Sequence, residues 1–276
     1  MQTRYLIFTD LDGTLLDHET YDYHDAQEVL LCIKKKNIPL IFCSSKTRRE
    51  MEVFRREFEN NDPFIVENGG AIFSPRGLLD LTEESHIEIG GYDVIELGTP
   101  YEKLIHSFRA IRAETGLNLL GFSEMSLEQA ARSTGLSLGK AALAKEREYS
   151  EPFLIMEEET RISHFHLEQS VQKRDLRMTR GGRFYHLTGP NDKGRAVSLL
   201  KRWFQKKIGP LVSVGLGDSP NDFPMLENVE VPVLIKKKTD HLEPWTGSSP
   251  VYRPHEIGPR GWNAFMLQLL KEVCRE

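Results

Sequence analysis

The chain has 276 residues, with 36 Lys and Arg against 41 Asp and Glu and a formal net charge of -5. This length sets a prior of about two domains, and the acidic balance argues against a nucleic-acid partner, which calls for a basic face to neutralise phosphates. No apolar run approaches the roughly 18 residues of a membrane helix, and Met1 to Leu6 enter a strand-like segment without an export signal, so a cytoplasmic protein without a membrane partner is expected.

Tyr5 to Thr9 reads as a buried strand, a short apolar run with no helical period and a polar stop at Asp10. Residues 22 to 36, with Val29, Leu30 and Ile33 at helical spacing, predict a helix that hands over to a second buried strand, Pro39 to Cys43. A charged helix from about Lys46 to Asn60 leads to a third strand and a glycine turn at Phe64 to Gly70. The last third repeats the alternation: a helix near 193 to 207, strand 211 to 215, a short helix near 221 to 227, strand 231 to 235, and a closing helix containing Phe265, Met266, Leu269 and Leu270. Continuous apolar strands alternating with helices imply an α/β core, a Rossmann-like doubly wound parallel sheet covered on both faces.

The middle, 84 to 188, has a different texture and reads as an inserted α+β domain, leaving 1–83 and 189–276 as the core. Helices are expected at 101 to 115 and from Ser126, whose Gln129 completes a capping box. Strands are expected at 87 to 97, at 153 to 156, and at 176 to 180 paired with 183 to 187 through a Gly181-Gly182 turn. The Pro- and Gly-rich stretch 244 to 261 reads as one surface loop. Cys32, Cys43 and Cys274 contain no Cys-x-x-Cys pair, so a disulfide framework is not expected and a reduced compartment is.

Chemistry concentrates at strand ends. Asp10 and Asp12 follow the first strand, where ligands of open parallel sheets bind. Two positions apart in extended chain they share a side, so one carboxylate can attack phosphorus while the other exchanges a proton with the leaving group. Gly13 allows a sharp turn and Thr14 offers a hydroxyl, although Asp-Gly-Thr alone is also a plain strand-ending turn. Gly217-Asp218-Ser219-Pro220-Asn221-Asp222 follows another buried strand, and its packed oxygens suit a hard cation such as Mg²⁺. The same residues would equally cap a helix. Ser44 closes the second strand, where a hydroxyl and backbone N–H groups can grip phosphate. Lys193 sits at a helix start, where a cation opposes the helix dipole unless an anion is bound beside it. Singly, Ser44 reads as well as a cap, and Lys193 as a solvated lysine.

Taken in order, Asp-x-Asp-Gly-Thr-Leu, a strand-ending Ser, a Lys and Gly-Asp-x-x-Asn-Asp resemble the four-motif signature of the haloacid dehalogenase superfamily, over roughly 5–75 and 189–240. The long insertion is similar to the α/β cap of its Cof-type branch. Within that branch Ser45-Lys46-Thr47-Arg48, the Glu67-Asn68-Gly69-Gly70 turn and Arg147 to Phe153 resemble the mannosyl-3-phosphoglycerate phosphatases.

The resemblance implies a Mg²⁺-dependent phosphatase with Asp10 as nucleophile and Asp12 as acid and base. Metal would be held by Asp10, Asp12 and Asp218 with support from Asn221 and Asp222, and phosphate by Ser44 and Lys193. The implied substrate, mannosyl-3-phosphoglycerate, adds a sugar and a carboxylate. Arg147, Arg180 and Arg183 are candidates for the carboxylate, each of which would also serve as a solvated surface arginine, and Lys46 and Asn68 are candidate contacts from the core side or else capping and turn residues. A phosphomutase or a phosphatase of another sugar phosphate, and a non-catalytic sugar-phosphate binder, are the alternatives. His164 and His166 lack partners for a metal triad, and Cys43 reads as a buried small side chain.

Overall fold

The computed structural model describes residues 3–81, 84–158, 160–180, 183–238 and 243–275. In chain order the first part comprises β1 (Tyr5–Thr9), α1 (Gln27–Lys35), β2 (Leu40–Cys43), α2 (Arg48–Glu57), β3 (Phe64–Val66), β4 (Ala71–Pro75), β5 (Ile87–Ile89) and β6 (Tyr92–Glu96). The middle holds α3 (Tyr101–Thr115), β7 (Leu119–Gly121), α4 (Leu127–Thr134), α5 (Leu138–Lys145), β8 (Ser150–Ile155), α6 (Arg161–Gln172), β9 (Arg177–Arg180) and β10 (Tyr185–Thr188). The last part is α7 (Lys193–Ile208), β11 (Val212–Gly217), α8 (Phe223–Glu227), β12 (Val231–Leu234), α9 (Gly258–Leu269) and α10 (Lys271–Arg275).

One sheet of eight strands runs β12-β11-β1-β2-β3-β4-β6-β5, and β12 through β3 pair in parallel. Alternation along β1 explains its two-sided burial. Ile7 joins the cluster beneath α1, α2 and α9 with Val29, Met51 and Trp262, while Leu6 and Phe8 join the cluster beneath α7 and α8 with Leu200 and Leu226. Phe8 and Phe42 have no exposed surface, and truncating either to Ala would cost roughly 3–5 kcal/mol. The expected α/β architecture with a parallel core is therefore present, and helices cover both faces.

The segment 87–97 departs from expectation. Its strands β5 and β6 extend the large sheet through β4 rather than joining the middle part. The cause is its two-sided apolar pattern, which puts Val94 into one core cluster and Ile95 into the other. The strands of the middle part form a smaller antiparallel sheet, β7-β8-β10-β9. One of its faces packs on α3 and α6 through Phe108, Phe153, Leu167 and Leu187. Ser126 caps α4 with its hydroxyl accepting from Gln129 N at 3.2 Å, in the expected capping box. Gly181 and Gly182, expected to turn β9 into β10, lie outside the described residues.

Two further expectations are corrected. The stretch 244–261 is not wholly loop: α9 begins at Gly258, with Pro259 in the first turn, where its missing N–H costs nothing. Cys32 and Cys274 form a disulfide with Cα atoms 5.7 Å apart. The pairing spans 242 positions and arises because Cys274 packs against the same core cluster as Val29 and Ile33 of α1, a tertiary relationship that cysteine spacing does not carry. Cys43 is free and buried, and burial pushes its thiol far up, so it stays protonated and apolar as expected.

Candidate active site

Strands β11, β1 and β2 are adjacent and parallel, so Asp218, Asp10 and Ser44 leave the sheet side by side at its carboxyl edge. The start is held firmly: Asp10 N–H donates to Leu216 O at 2.9 Å, and the Thr9 hydroxyl receives Trp262 Nε1 at 3.1 Å while donating to Asp10 O at 2.7 Å. Gly13 turns the chain with φ +79°, and a Cβ there would lie 2.8 Å from Asp218 Oδ2, so only glycine lets the two strand ends approach.

Lys193 is completely buried at the first turn of α7 and donates to Asp10 Oδ1 at 2.7 Å and Asp222 Oδ1 at 2.6 Å. Burial works against its ammonium, yet Asp10 and Asp222 more than reverse this and hold its pKa above the ordinary value. The other oxygen of Asp222 accepts from the backbone N–H groups of Asp218 and Ser219 at 3.0 and 3.1 Å. Asp222 thus fixes both Lys193 and the turn that presents Asp218. Oxygens of Asp10, Asp218 and Asp222 lie within 4.8 Å of one another. Burial pushes Asp10 well above the carboxylate range, with Lys193 pulling against it and Asp222 and Asp218 adding to it. Burial, then Asp222, raises Asp218 to about 7. Crowded buried carboxylates of this kind fit a bound divalent cation, which relieves their repulsion.

Asp12 is held by Lys46 Nζ at 2.7 Å through Oδ2, while its Oδ1 is buried without a partner. Burial pulls the Lys46 ammonium down, but Asp12 and Glu50 more than reverse it and keep it above its usual value. Tyr21 and Phe54 place ring faces 5.1 and 5.3 Å from the same nitrogen. Thr14 is buried with an unpartnered hydroxyl. Ser44 is buried, its N–H donating to Ile65 O at 3.1 Å and its Oγ accepting from Lys46 N at 3.3 Å, whereas Ser45 is the serine that lines the cleft. Asn221 Nδ2 donates to Asn68 Oδ1 at 3.1 Å.

The cleft above these groups has a volume of about 600 Å³ and runs from the carboxyl edge of the large sheet to the face of the small one that turns away from α3 and α6. The three candidate arginines part company there. Arg183 lines the cleft and donates to Thr134 O at 2.5 Å. Arg147 also lines it, but its Nη2 already donates to Ser45 O at 2.8 Å and Ser150 Oγ at 2.6 Å, and its Nε lies 3.2 Å from Glu67. Arg180 is corrected: it pairs across the strands with Tyr185 and stacks over its ring, on the face packed against helices. Alternation points it away from the cleft.

Residues 7–86 match the family of haloacid dehalogenase-like hydrolases. A glucosyl-3-phosphoglycerate/mannosyl-3-phosphoglycerate phosphatase of Methanococcoides burtonii is 42% identical over 267 residues, covering 97% of each chain. The chain belongs to the haloacid dehalogenase-like hydrolases. A second relative with the same name, from Persephonella marina, is 41% identical over 272 residues and 98% of each chain. The sucrose-phosphatase of Synechocystis shares the fold of this hydrolase, with TM-score 0.60 over 99% of this chain and 98% of the other at 14% identity. The hydrolase is a phosphoric monoester hydrolase, and the carboxyl edge just described is where its motifs converge.

Other residues around the cleft were given no role of their own in the sequence, Glu67 entering only as part of a turn. Glu67, fully buried, accepts from Glu148 N at 2.8 Å, Tyr149 N at 3.1 Å and Ser150 Oγ at 2.7 Å, tying the 147–150 segment to the end of β3. Its φ of +47° is strained for a glutamate, whereas the +56° of Asn68 is a conformation that asparagine tolerates, a signal visible only in the backbone. His186 and Thr179 reach the cleft from the small sheet. Alternation of His186 with the apolar Tyr185 and Leu187 was the one available hint.

Proposed function

We propose that the chain is a Mg²⁺-dependent phosphatase of mannosyl-3-phosphoglycerate or its glucosyl counterpart, working through an aspartyl phosphate on Asp10. The observation that carries the reading is the buried Asp10–Lys193 pair beside Asp12, whose Oδ1 is unpartnered. Asp10 attacks phosphorus, the bond to the leaving alcohol breaks, and Asp12 gives that oxygen a proton. Asp12 then takes a proton from water, the water oxygen bonds to phosphorus, and the Asp10–phosphorus bond breaks to release phosphate.

Lys193 keeps positive charge against the transferring group, and the strand-ending pair Ser44 and Ser45, of which Ser45 lines the cleft, is assigned to the phosphoryl oxygens with it. Asp10, the Asp12 carbonyl and Asp218, with Asn221 and Asp222 in support, would hold Mg²⁺, which would neutralise charge so that one anion could approach another. Asp222 acts mainly by placing Lys193 and the Asp218 turn, since both of its oxygens are already engaged.

The smaller sheet with α3 to α6 is assigned as the cap that selects substrate and sheds water. Arg183 and Arg147 offer charge to a carboxylate from this side, and Lys46 and Asn68 flank it from the core. The names of the Methanococcoides and Persephonella relatives support the sugar-glycerate substrate. Phosphate release from a panel of phosphomonoesters with Mg²⁺ tests the reading. The highest kcat/KM is expected on a hexosyl-3-phosphoglycerate, and turnover confined to hexose monophosphates would overturn it.

A further inference from the structure

Residues His186 and Thr179 stand directly opposite each other on β10 and β9, with Pro152 of β8 on the other side of His186. Cross-strand partners share a face. Their neighbours Tyr185, Leu187 and Met178 pack in the apolar cluster with Phe108 and Phe153, so His186 and Thr179 turn to the opposite face, where both line the cleft that Asp10 also lines. His186 Nδ1 and Thr179 Oγ1 are buried atoms without a hydrogen-bond partner. Such atoms cost about 1–3 kcal/mol each when left without a partner, and each calls for a physical reason. Two of them side by side on one cleft wall mark a place where an occupant supplies the missing bonds.

We propose that His186 and Thr179 form a hydroxyl-reading subsite that holds the uncharged polyol part of the substrate against the small sheet. The pair is chemically suited to that part. Burial, then the charges of Arg147 and Lys193, push the His186 imidazole down to about 3, so it is neutral at working pH and can donate from one nitrogen and accept at the other. Thr179 adds a neutral hydroxyl. Neither offers charge to a phosphate or carboxylate, for which Lys193, Lys46 and Arg183 are available elsewhere in the site. Pro152, Phe122 and Phe184 line the same wall, giving the C–H face of a sugar ring an apolar surface. A site of this kind discriminates strongly, because an analogue lacking the hydroxyl leaves the buried pair unpaired.

The inference rests on the proposed phosphatase reading and goes further by assigning the sugar end. The test compares kcat/KM on mannosyl-3-phosphoglycerate with that on 3-phosphoglycerate, which lacks the sugar, for wild type, Thr179→Val, Thr179→Ser, His186→Leu and His186→Asn in the full-length protein with Mg²⁺. The ratio of the two is expected to fall at least about tenfold in Thr179→Val and His186→Leu, mostly through KM, and to recover in Thr179→Ser and in part in His186→Asn. Thr179→Val should also keep or raise the melting temperature, since it removes an unpaired buried hydroxyl. Equal losses on both substrates, an unchanged ratio, or a fall in melting temperature that tracks the lost turnover would overturn the subsite. Should wild type ignore the hexosyl-glycerate and hydrolyse another polyhydroxylated phosphoester, the substrate reading fails alone, and the same ratio taken on that ester against 3-phosphoglycerate decides the subsite.

Discussion

Lys193 and Asp10 are 183 positions apart in the chain, yet the ammonium of one lies 2.7 Å from the carboxylate of the other with no exposed surface on the lysine. A buried ion pair adds little stability as a pair, but removing one partner leaves an uncompensated charge. Here two carboxylates, Asp10 and Asp222, depend on one cation.

Replacing Lys193 by Met is therefore expected to cost about 3–5 kcal/mol of stability and to lower turnover at least about a hundredfold. Lys193→Arg should not rescue it, because a planar guanidinium does not fit a fully enclosed point-charge slot. Urea denaturation and kcat measured on both variants check this. Wild-type stability and turnover in Lys193→Met would contradict the assignment.

Cation removal gives a readout apart from activity. Chelation should abolish turnover, and Mg²⁺ should raise the melting temperature of the free enzyme by relieving the Asp10, Asp218 and Asp222 cluster. The stabilisation follows mass action, about 2.7 kcal/mol at a hundred times Kd. In Asp218→Ala the Mg²⁺-dependent rise should vanish. An undiminished rise in that variant would place the cation elsewhere.

Glu67 and Arg147 join the end of the large sheet to the segment entering β8. Arg147→Met should cost about 3–5 kcal/mol by leaving Glu67 short of charge, and Glu67→Leu should cost more, since it also strands the N–H groups of Glu148 and Tyr149. The double variant is expected to cost less than the sum, with a coupling of at least about 1 kcal/mol. Simple additivity in thermal or urea unfolding would show that the pair does not act as a unit.

His186 makes stability depend on pH with a definite sign. Its folded pKa of about 3 lies below the roughly 6.5 of an unfolded histidine. Between those values the unfolded chain binds the additional proton, so this contribution is complete above about pH 6.5 and is lost as pH falls toward 3, by at most about 1.4 kcal/mol per unit. Wild type should lose more stability than His186→Gln between pH 7 and 4.5, by on the order of 2 kcal/mol. Parallel losses in the two proteins would refute the buried neutral imidazole.

Much of this site was legible because its parts sit where local pattern changes: Asp10, Ser44 and Asp218 each follow a continuous apolar run, and Lys193 opens a helix whose spacing is plain. Sequence also placed α3 at residues 101 to 115, where its Leu104, Phe108 and Ile111 bury one stripe. What it could not show depends on contacts between distant segments. The membership of β5 and β6 in the large sheet is decided by which clusters receive Val94 and Ile95, the Cys32–Cys274 bond by how the C-terminal helices pack on α1, and the turn of Arg180 away from the cleft by the register of β9 on β10. Glu67 looked like part of a glycine turn, although its carboxylate organises a segment 81 to 83 positions away.

The most direct test of the central claim is the rate of phosphate release by Asp10→Asn on a hexosyl-3-phosphoglycerate with saturating Mg²⁺. The amide has nearly the shape of the carboxylate but cannot attack phosphorus. A fall in kcat of at least about a thousandfold with the fold intact is the expected result. Hydrolysis at the wild-type rate would contradict the covalent role of Asp10.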